Sequence, residues 1–264
     1  MIYIEPAGGL CNRMRAISSA YHLAQELGQK LTIVWTAKPE LNCSYEKLFL
    51  PPPVAEEIQV AEGKGKTSWR YKIWRSFSGL YLEEADVERL RGTADCIPRD
   101  VFLGKKHIYI HTGLYFYTTG EYSKLFLPTC EIRNRVEALK HSWPSRVVGI
   151  HIRRTDNKDA ITGSSTEGFI RRMEMEIEQD AQTGFYLATD SKREEEVLRE
   201  RFGKRILGQG EKVWERDREE GITAALVDFL CLAGTKKIIG SYWSSFSDLA
   251  AEYYGIEKVI VKDG

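Results

Sequence analysis

Two adjacent arginines close a hydrophobic run. Residues 147–152 read VVGIHI, and the chain continues as Arg153-Arg154-Thr155-Asp156. A guanidinium presents a planar fork of N–H donors that matches phosphate oxygens in pairs, so this position suits the neutralisation of a diphosphate. Side chains alternate along a strand. That sends His151 and Arg153 to one face and Arg154 to the other, unless the strand has already ended. Arg153 is assigned to the diphosphate, and Arg154 to positioning it or the surrounding loop. The competing use is an internal ion pair, such as Arg154 with Asp156, and both uses are expected in part.

Three further stretches bring polar groups to similar places. Residues 185–191 (FYLATDS) put Asp190 and Ser191 at the end of a second apolar run. Either Asp190 accepts hydrogen bonds from a base or sugar, or it caps the helix that follows. Residues 240–247 (GSYWSSFS) place hydroxyls where a helix begins, and free N–H groups at a helix start attract an anion. Ser244 or Ser245 serves equally well as an N-cap. Residues 7–13 (AGGLCNR) put Gly8, Gly9 and Asn12 in a turn that a ligand can approach closely, ahead of another helix N-terminus. The turn is not GxGxxG and lacks the Lys and Ser/Thr of a P-loop, so a tight turn without a ligand competes. Asp228 sits in an apolar helix and needs a partner there; it reads as structural, holding one of these loops.

The elements that must carry these groups follow from periodicity. Residues 1–6 alternate as a short strand. From Leu10 onward Met14, Ile17, Tyr21, Ala24 and Leu27 recur at helical spacing, and Gly28 is a C-terminal stop. Residues 30–35 (KLTIVW) form the next strand, which makes a βαβ unit and implies a parallel sheet. Residues 38–100 are less regular: Pro51-Pro52-Pro53 punctuates them, 63–66 (GKGK) reads as a loop, and Trp69, Tyr71, Trp74, Phe77 and Tyr81 supply aromatics. A strand at 107–112 and a helix at 132–141 follow, the helix ending before Trp143-Pro144. Beyond it strands are predicted at 147–152, 185–189, 205–207, 236–240 and 258–262. Helices are predicted at 166–180, 191–202, 222–233 and 244–254. That alternation predicts an α/β fold with a doubly wound parallel sheet, in which ligands bind beyond the carboxyl ends of the strands. The arginine, ATDS and SYWSSFS stretches all fall there.

Composition narrows the function. A chain of 264 residues is long enough for two domains, and the division is expected at 142–146. Lys+Arg and Asp+Glu balance at 38 each, which argues against a nucleic-acid binder with its basic footprint. No run approaches the roughly 18 apolar residues of a transmembrane helix. The N-terminus lacks the basic segment of a signal peptide. The five cysteines are scattered and form no CxxC, so neither a disulfide framework nor a zinc site is expected, and reduced thiols in a cytoplasmic protein are. There is no DxD to suggest a metal-bridged diphosphate; arginine would supply that charge. There is no GxSxG either, which ranks a hydrolase last. Three strand-end loops, faced by the Gly8-Gly9 turn from the other domain, describe a nucleotide diphosphate held between two domains.

In this order, GGLCNR, HIRRTD, FYLATDS and SYWSSFSDLAA resemble the fucosyltransferase superfamily. The group most similar is the α1,6 enzymes, through H-x-RRTD and YLATD; the α1,2 enzymes typically carry Gly where this chain has Thr155. The motifs span nearly the whole chain. The resemblance implies a GT-B-like fold of two Rossmann-like domains facing a cleft, GDP-fucose as donor, inversion at the anomeric carbon, and no metal or other cofactor. It implies residues 1–145 as the acceptor-side domain and 146–264 as the donor domain. By resemblance Arg153 binds the β-phosphate, His151 lies near guanosine, Asp190 or Ser191 contacts the base, Ser244 and Ser245 line the diphosphate, and Gly8, Gly9 and Asn12 close the site.

The α1,6 group has a Glu shortly after RRTD as general base. Glu167 is the nearest match here, with extra residues intervening, and Asp159 is its rival. The chain is much shorter than the eukaryotic α1,6 enzymes, and Ser191 stands where an acidic residue often follows Asp190. Trp69, Tyr71, Trp74, Tyr115 and Tyr117 could stack on acceptor sugars, although such residues are more often core. The partners implied are a nucleotide sugar and a glycan acceptor. The alternatives are another nucleotide sugar, or a nucleotide-binding module without catalysis.

Overall fold

A computed structural model describes residues 1–52, 58–62, 73, 76, 79–155, 162–210, 213 and 217–262. The chain divides into two compact units, Met1–Thr129 with Glu215–Ile222, and Cys130–Trp214 with Thr223–Gly264. The expected loop at 63–66 and the aromatics Trp69, Tyr71, Trp74 and Phe77 lie outside the described residues.

The first unit opens as the periodicity predicts. Strand β1 (Ile2–Pro6), helix α1 (Leu10–Leu27) and strand β2 (Leu31–Trp35) form the βαβ start. Met14, Ile17, Tyr21 and Ala24 are buried along α1, and Gly28 ends it in the left-handed conformation (φ 60°). Then come α2 (Tyr45–Leu48), β3 (Ile58–Glu62), β4 (Leu80–Leu82), α3 (Glu84–Arg91), β5 (Ile108–Thr112) and α4 (Tyr122–Leu125). The sheet is parallel, in the order β3-β2-β1-β5-β4. Its order turns back between β1 and β5. Strands β3 and β4 are too short or too polar to stand out by alternation. Helix α3 did carry a signal, a reciprocal capping box between Glu83 and Asp86.

The second unit holds α5 (Cys130–His141), β6 (Val147–Ile152), α6 (Thr166–Gln179), β7 (Gly184–Thr189) and α7 (Lys192–Phe202). It continues with β8 (Ile206–Leu207), α8 (Glu219–Ala233), β9 (Lys237–Ser241), α9 (Ser245–Tyr254) and β10 (Glu257–Val261), the first turn of α8 grouping with the first unit. Helix α5 groups here, so the units part before it rather than after it. The sheet is again parallel, in the order β10-β9-β6-β7-β8, and turns back between β6 and β9. Val148, Ile150, Ile152, Phe169, Met173, Phe185, Leu187 and Leu198 form one core cluster of this unit. Among the described residues no helix is long and apolar enough to cross a membrane. All five cysteines are free thiols.

Asp228 resolves as a structural hub. It accepts from the hydroxyl of Tyr186 (2.8 Å) and from the amide Nε2 of Gln209 (2.8 Å). It thus ties α8 to β7 and to the turn after β8, rather than to one of the strand-end loops the sequence singled out. Burial, reinforced by the Asp228 charge, holds the Tyr186 phenol well above its ordinary pKa, so it stays a donor. Asp228→Ala should lower unfolding free energy by about 3 kcal/mol, because it takes the acceptor from the buried Tyr186 hydroxyl and one of two acceptors from the Gln209 amide. Tyr186→Phe, which removes one donor and leaves the carboxylate its other partner, should cost about 1 kcal/mol. Urea titration of both variants tests this, and equal costs would refute the hub.

Candidate active site

In the second unit, chemistry gathers where the strand order turns back. Strand β6 ends at Ile152, and the next residues are pinned from both sides. The backbone N–H of Arg153 donates to Ser241 Oγ at the end of β9 (3.1 Å). The backbone N–H of Arg154 donates to Asp190 Oδ1 beyond β7 (2.7 Å). Asp190 Oδ2 accepts from the Thr155 hydroxyl (2.8 Å) and lies 3.2 Å from Arg153 Nε. One carboxylate therefore fixes three successive residues. It is not the helix cap: Ser191 occupies the N-cap of α7, accepting from the Glu194 N–H.

The two arginines separate in role. Arg154 Nε donates to Glu194 Oε1 (2.9 Å), and the Thr166 hydroxyl donates to the same carboxylate (2.9 Å). Arg154 thereby joins the arginine loop to the starts of α6 and α7 through an internal ion pair, made with Glu194, a partner that residue order did not single out. Asp156 lies outside the described residues. The Arg153 backbone is tied to the end of β9, while its guanidinium lies on Asp190 beyond β7.

The α9 end supplies the other half. His151 is buried, stacks on Phe246 (centroids 4.9 Å apart, 26° between planes) and holds Nδ1 3.5 Å from Ser244 Oγ. Ser244 occupies the N-cap position of α9, yet its hydroxyl makes no capping hydrogen bond. Ser245 is the first helical residue. The start of α9 therefore keeps backbone donors that its own cap does not use. Trp243, just before it, has φ 54° and is 66% exposed. A left-handed non-glycine residue bearing an exposed indole is a feature that residue spacing does not reveal.

Of the proposed bases, Glu167 lies exposed in the first turn of α6. Among the described residues no hydrogen bond or ion pair orients its carboxylate. Asp159 lies outside them, as do Trp69, Tyr71 and Trp74. Tyr117 is buried, and Tyr115 packs under the Arg91 guanidinium (4.1 Å). Among the described residues no cluster of His, Cys, Asp or Glu is arranged to hold a metal ion.

In the first unit the glycine turn is built around a residue to which the sequence assigned no role. Gly8 has φ 73°, and a Cβ there would stand 3.1 Å from Asn12 Nδ2. Gly9 is the N-cap of α1. Arg13, fully buried, donates from Nε to Gly8 O (2.9 Å) and from Nη1 to Thr36 O (2.7 Å), with its guanidinium 4.7 Å from the Trp35 ring centre. Burial lowers its pKa to about 10, opposed by the charges of Glu40 and Glu5, so it remains a cation at neutral pH. The available signal was an arginine among the apolar positions of α1.

No family model matches the chain, and no curated relative matches its sequence. Solved structures do match. Fucosyltransferase NodZ from Bradyrhizobium superposes with TM-score 0.66 at 18% identity, over 94% of this chain and 91% of that one. NodZ α-1,6-fucosyltransferase soaked with GDP-fucose gives the same TM-score and identity over 96% and 92%. POFUT1 in its apo form matches at 0.63 and 11%, over 98% and 97%. The Arabidopsis thaliana FUT1 R284K mutant in complex with GDP matches at 0.64 and 14%, over 98% and 69%. The chain has the fucosyltransferase-like, GT-B-type α/β fold.

Arg13→Lys should lower stability by about 2 kcal/mol, since an ammonium cannot bridge both carbonyls and stack on Trp35 together. Thermal and urea unfolding measure it, and a neutral outcome would reject the clamp.

Proposed function

We propose that the chain is an inverting, metal-independent glycosyltransferase that moves fucose from GDP-fucose to a glycan hydroxyl. The observation that carries this reading is the arginine loop at the β6–β9 turn-back, held by Asp190 and Ser241 beside an N-terminus of α9 that its cap residue leaves open. Ligands of open α/β sheets bind at such places, and an anion is what this one suits. The motif order, and the structural neighbours solved with GDP-fucose or GDP, agree with it.

In this scheme Arg153 and the α9 N–H groups, with Ser244 and Ser245, accept the diphosphate. They stabilise the charge that develops as the bond from C1 to the β-phosphate oxygen breaks. Arg154 holds the loop rather than the ligand. Asp190 and Ser191 act mainly as positioning groups, since their polar atoms already serve the loop and the α7 cap. His151 supports the serine side of the site. In the first unit, Gly8, Gly9 and Asn12 form a second turn at which backbone N–H groups meet an anion. Attack by the acceptor oxygen on the face of C1 opposite the departing GDP gives inversion.

The competing reading is a nucleotide-binding module without catalysis. Thermal shift against GDP, UDP and ADP, followed by a GDP-fucose turnover assay in EDTA, separates the two. GDP at a hundredfold excess over its Kd should stabilise by about 2.7 kcal/mol. Arg153→Ala should abolish that shift and slow turnover by at least about 100-fold. Unchanged turnover in Arg153→Ala would sink the scheme, and binding without turnover would leave the module.

A further inference from the structure

At the carboxyl edge of the first unit's sheet, charged side chains answer one another. Lys38 Nζ lies 3.5 Å from Glu5 Oε1, and Glu83 Oε2 lies 2.9 Å from His111 Nδ1. The amino edge is different. There, just before β2 and β5, the end of α1 and the stretch 99–106 enclose an open cleft of about 360 Å³. That is within the size range of small-molecule sites, and all of it belongs to the first unit. Its lining includes Glu26, Gln29, Arg99, Leu103, Lys105 and Lys106.

The wall of the cleft is held in place by its own backbone and by α1. Residues 99–101 form one 3-10 turn. The N–H groups of Leu103 and Lys105 donate to Asp100 O and Phe102 O (3.3 Å each). Phe102 is fully buried and packs edge-on against Tyr117, with centroids 6.3 Å apart. Gln29 Nε2 donates to Lys105 O (2.8 Å), which ties the loop to the residue after the α1 stop. Gly104 has φ 72° and turns the chain between Leu103 and Lys105. Leu103 is 47% exposed and gives the cleft an apolar contact.

Charge in the cleft does not balance. Glu26 is the one carboxylate in the lining, and it is already engaged. Its Oε1 lies 2.8 Å from Arg99 Nε, and its Oε2 accepts from the Tyr117 hydroxyl. Among the described residues no carboxylate pairs with Lys105 or Lys106. The carboxyl end of α1 offers roughly half a negative charge, too little to offset two ammonium groups. A ligand that brings the missing negative charge is favoured there. One exposed leucine suits the C–H face of a sugar ring and is too small a surface for an acyl chain.

We propose that this cleft binds the oxyanion ester of a small sugar, with Lys105 and Lys106 on the oxyanion and Leu103 against the ring. The site is distinct from the glycine turn: the 18 residues of α1 lie between them, roughly 27 Å at 1.5 Å per residue. It stands independently of the transfer reading above.

Glucose 6-phosphate, glucose 6-sulfate and glucose, titrated into the isotope-labelled full chain, test this by amide NMR shifts. At least one ester should shift Leu103, Gly104 and Lys105 saturably, and glucose should not; the tighter ester identifies the oxyanion. The double variant Lys105→Ala/Lys106→Ala should bind that ester at least about tenfold more weakly. Lys106→Gln, which keeps most of the side chain and guards against a folding failure, should cost about threefold. An equal response to glucose would overturn the proposal, as would unchanged affinity in either variant. Saturation by neither ester at residues 103–105 would overturn it too. So would ester shifts confined to residues 8–12 or 241–245, which would put the anion at the other two turns.

Discussion

The carboxylate of Asp190 is the constraint on which the second unit's site depends. The chain leaves β6 as two arginines and a threonine, and like charges on adjacent residues would splay apart in solvent. Asp190 gathers a backbone N–H, a hydroxyl and a guanidinium from those three residues onto two oxygens. Charge-assisted hydrogen bonds of this kind are short and directional, so the loop has little freedom left. Glu194 does the same for the Arg154 head group and draws in Thr166. The outcome is that each of the two neighbours has its own carboxylate, Arg153 that of Asp190 and Arg154 that of Glu194.

Both units place polar groups at the turn-back of a parallel sheet, by different means. The second unit uses side chains from three strand ends. The first clamps its glycine turn with a buried arginine that reaches back to Gly8 and across to Thr36. The clamp suits a turn that contains a left-handed residue, because the glycine permits the conformation without enforcing it. An external donor to the Gly8 carbonyl selects that conformation from the several that glycine allows.

Much of this was legible in residue order. The second half alternates apolar strands with helices so regularly that each predicted element there is found within a residue or so, except α8, which begins three residues earlier. The arginine loop was visible as charge at the end of an apolar strand. What escaped did so for physical reasons. Strand β4 is three residues long, below what alternation can register. Asp190 and Ser191 exchange roles between cap and loop anchor, and spacing is the same for both. The Glu5, His111 and Glu83 row was written three times over, as Tyr-Ile-Glu at 3–5, Tyr-Leu-Glu at 81–83 and Tyr-Ile-His at 109–111. Each tripeptide alone is unremarked, and only the register of β1, β5 and β4 brings them together.

The charge balance of the chain takes its meaning from that row. In the second unit arginines stand at the β6–β9 turn-back, and in the first unit carboxylates and an imidazole stand at the β1–β5 turn-back. The second half of the sequence is the more acidic overall, with 22 Asp+Glu from residue 146 onward against 16 before it, yet its turn-back is the one built from arginines. Counted over the unit itself, residues 130–214 and 223–264, Lys+Arg and Asp+Glu balance at 20 each, so the arginines at its turn-back are a matter of local placement.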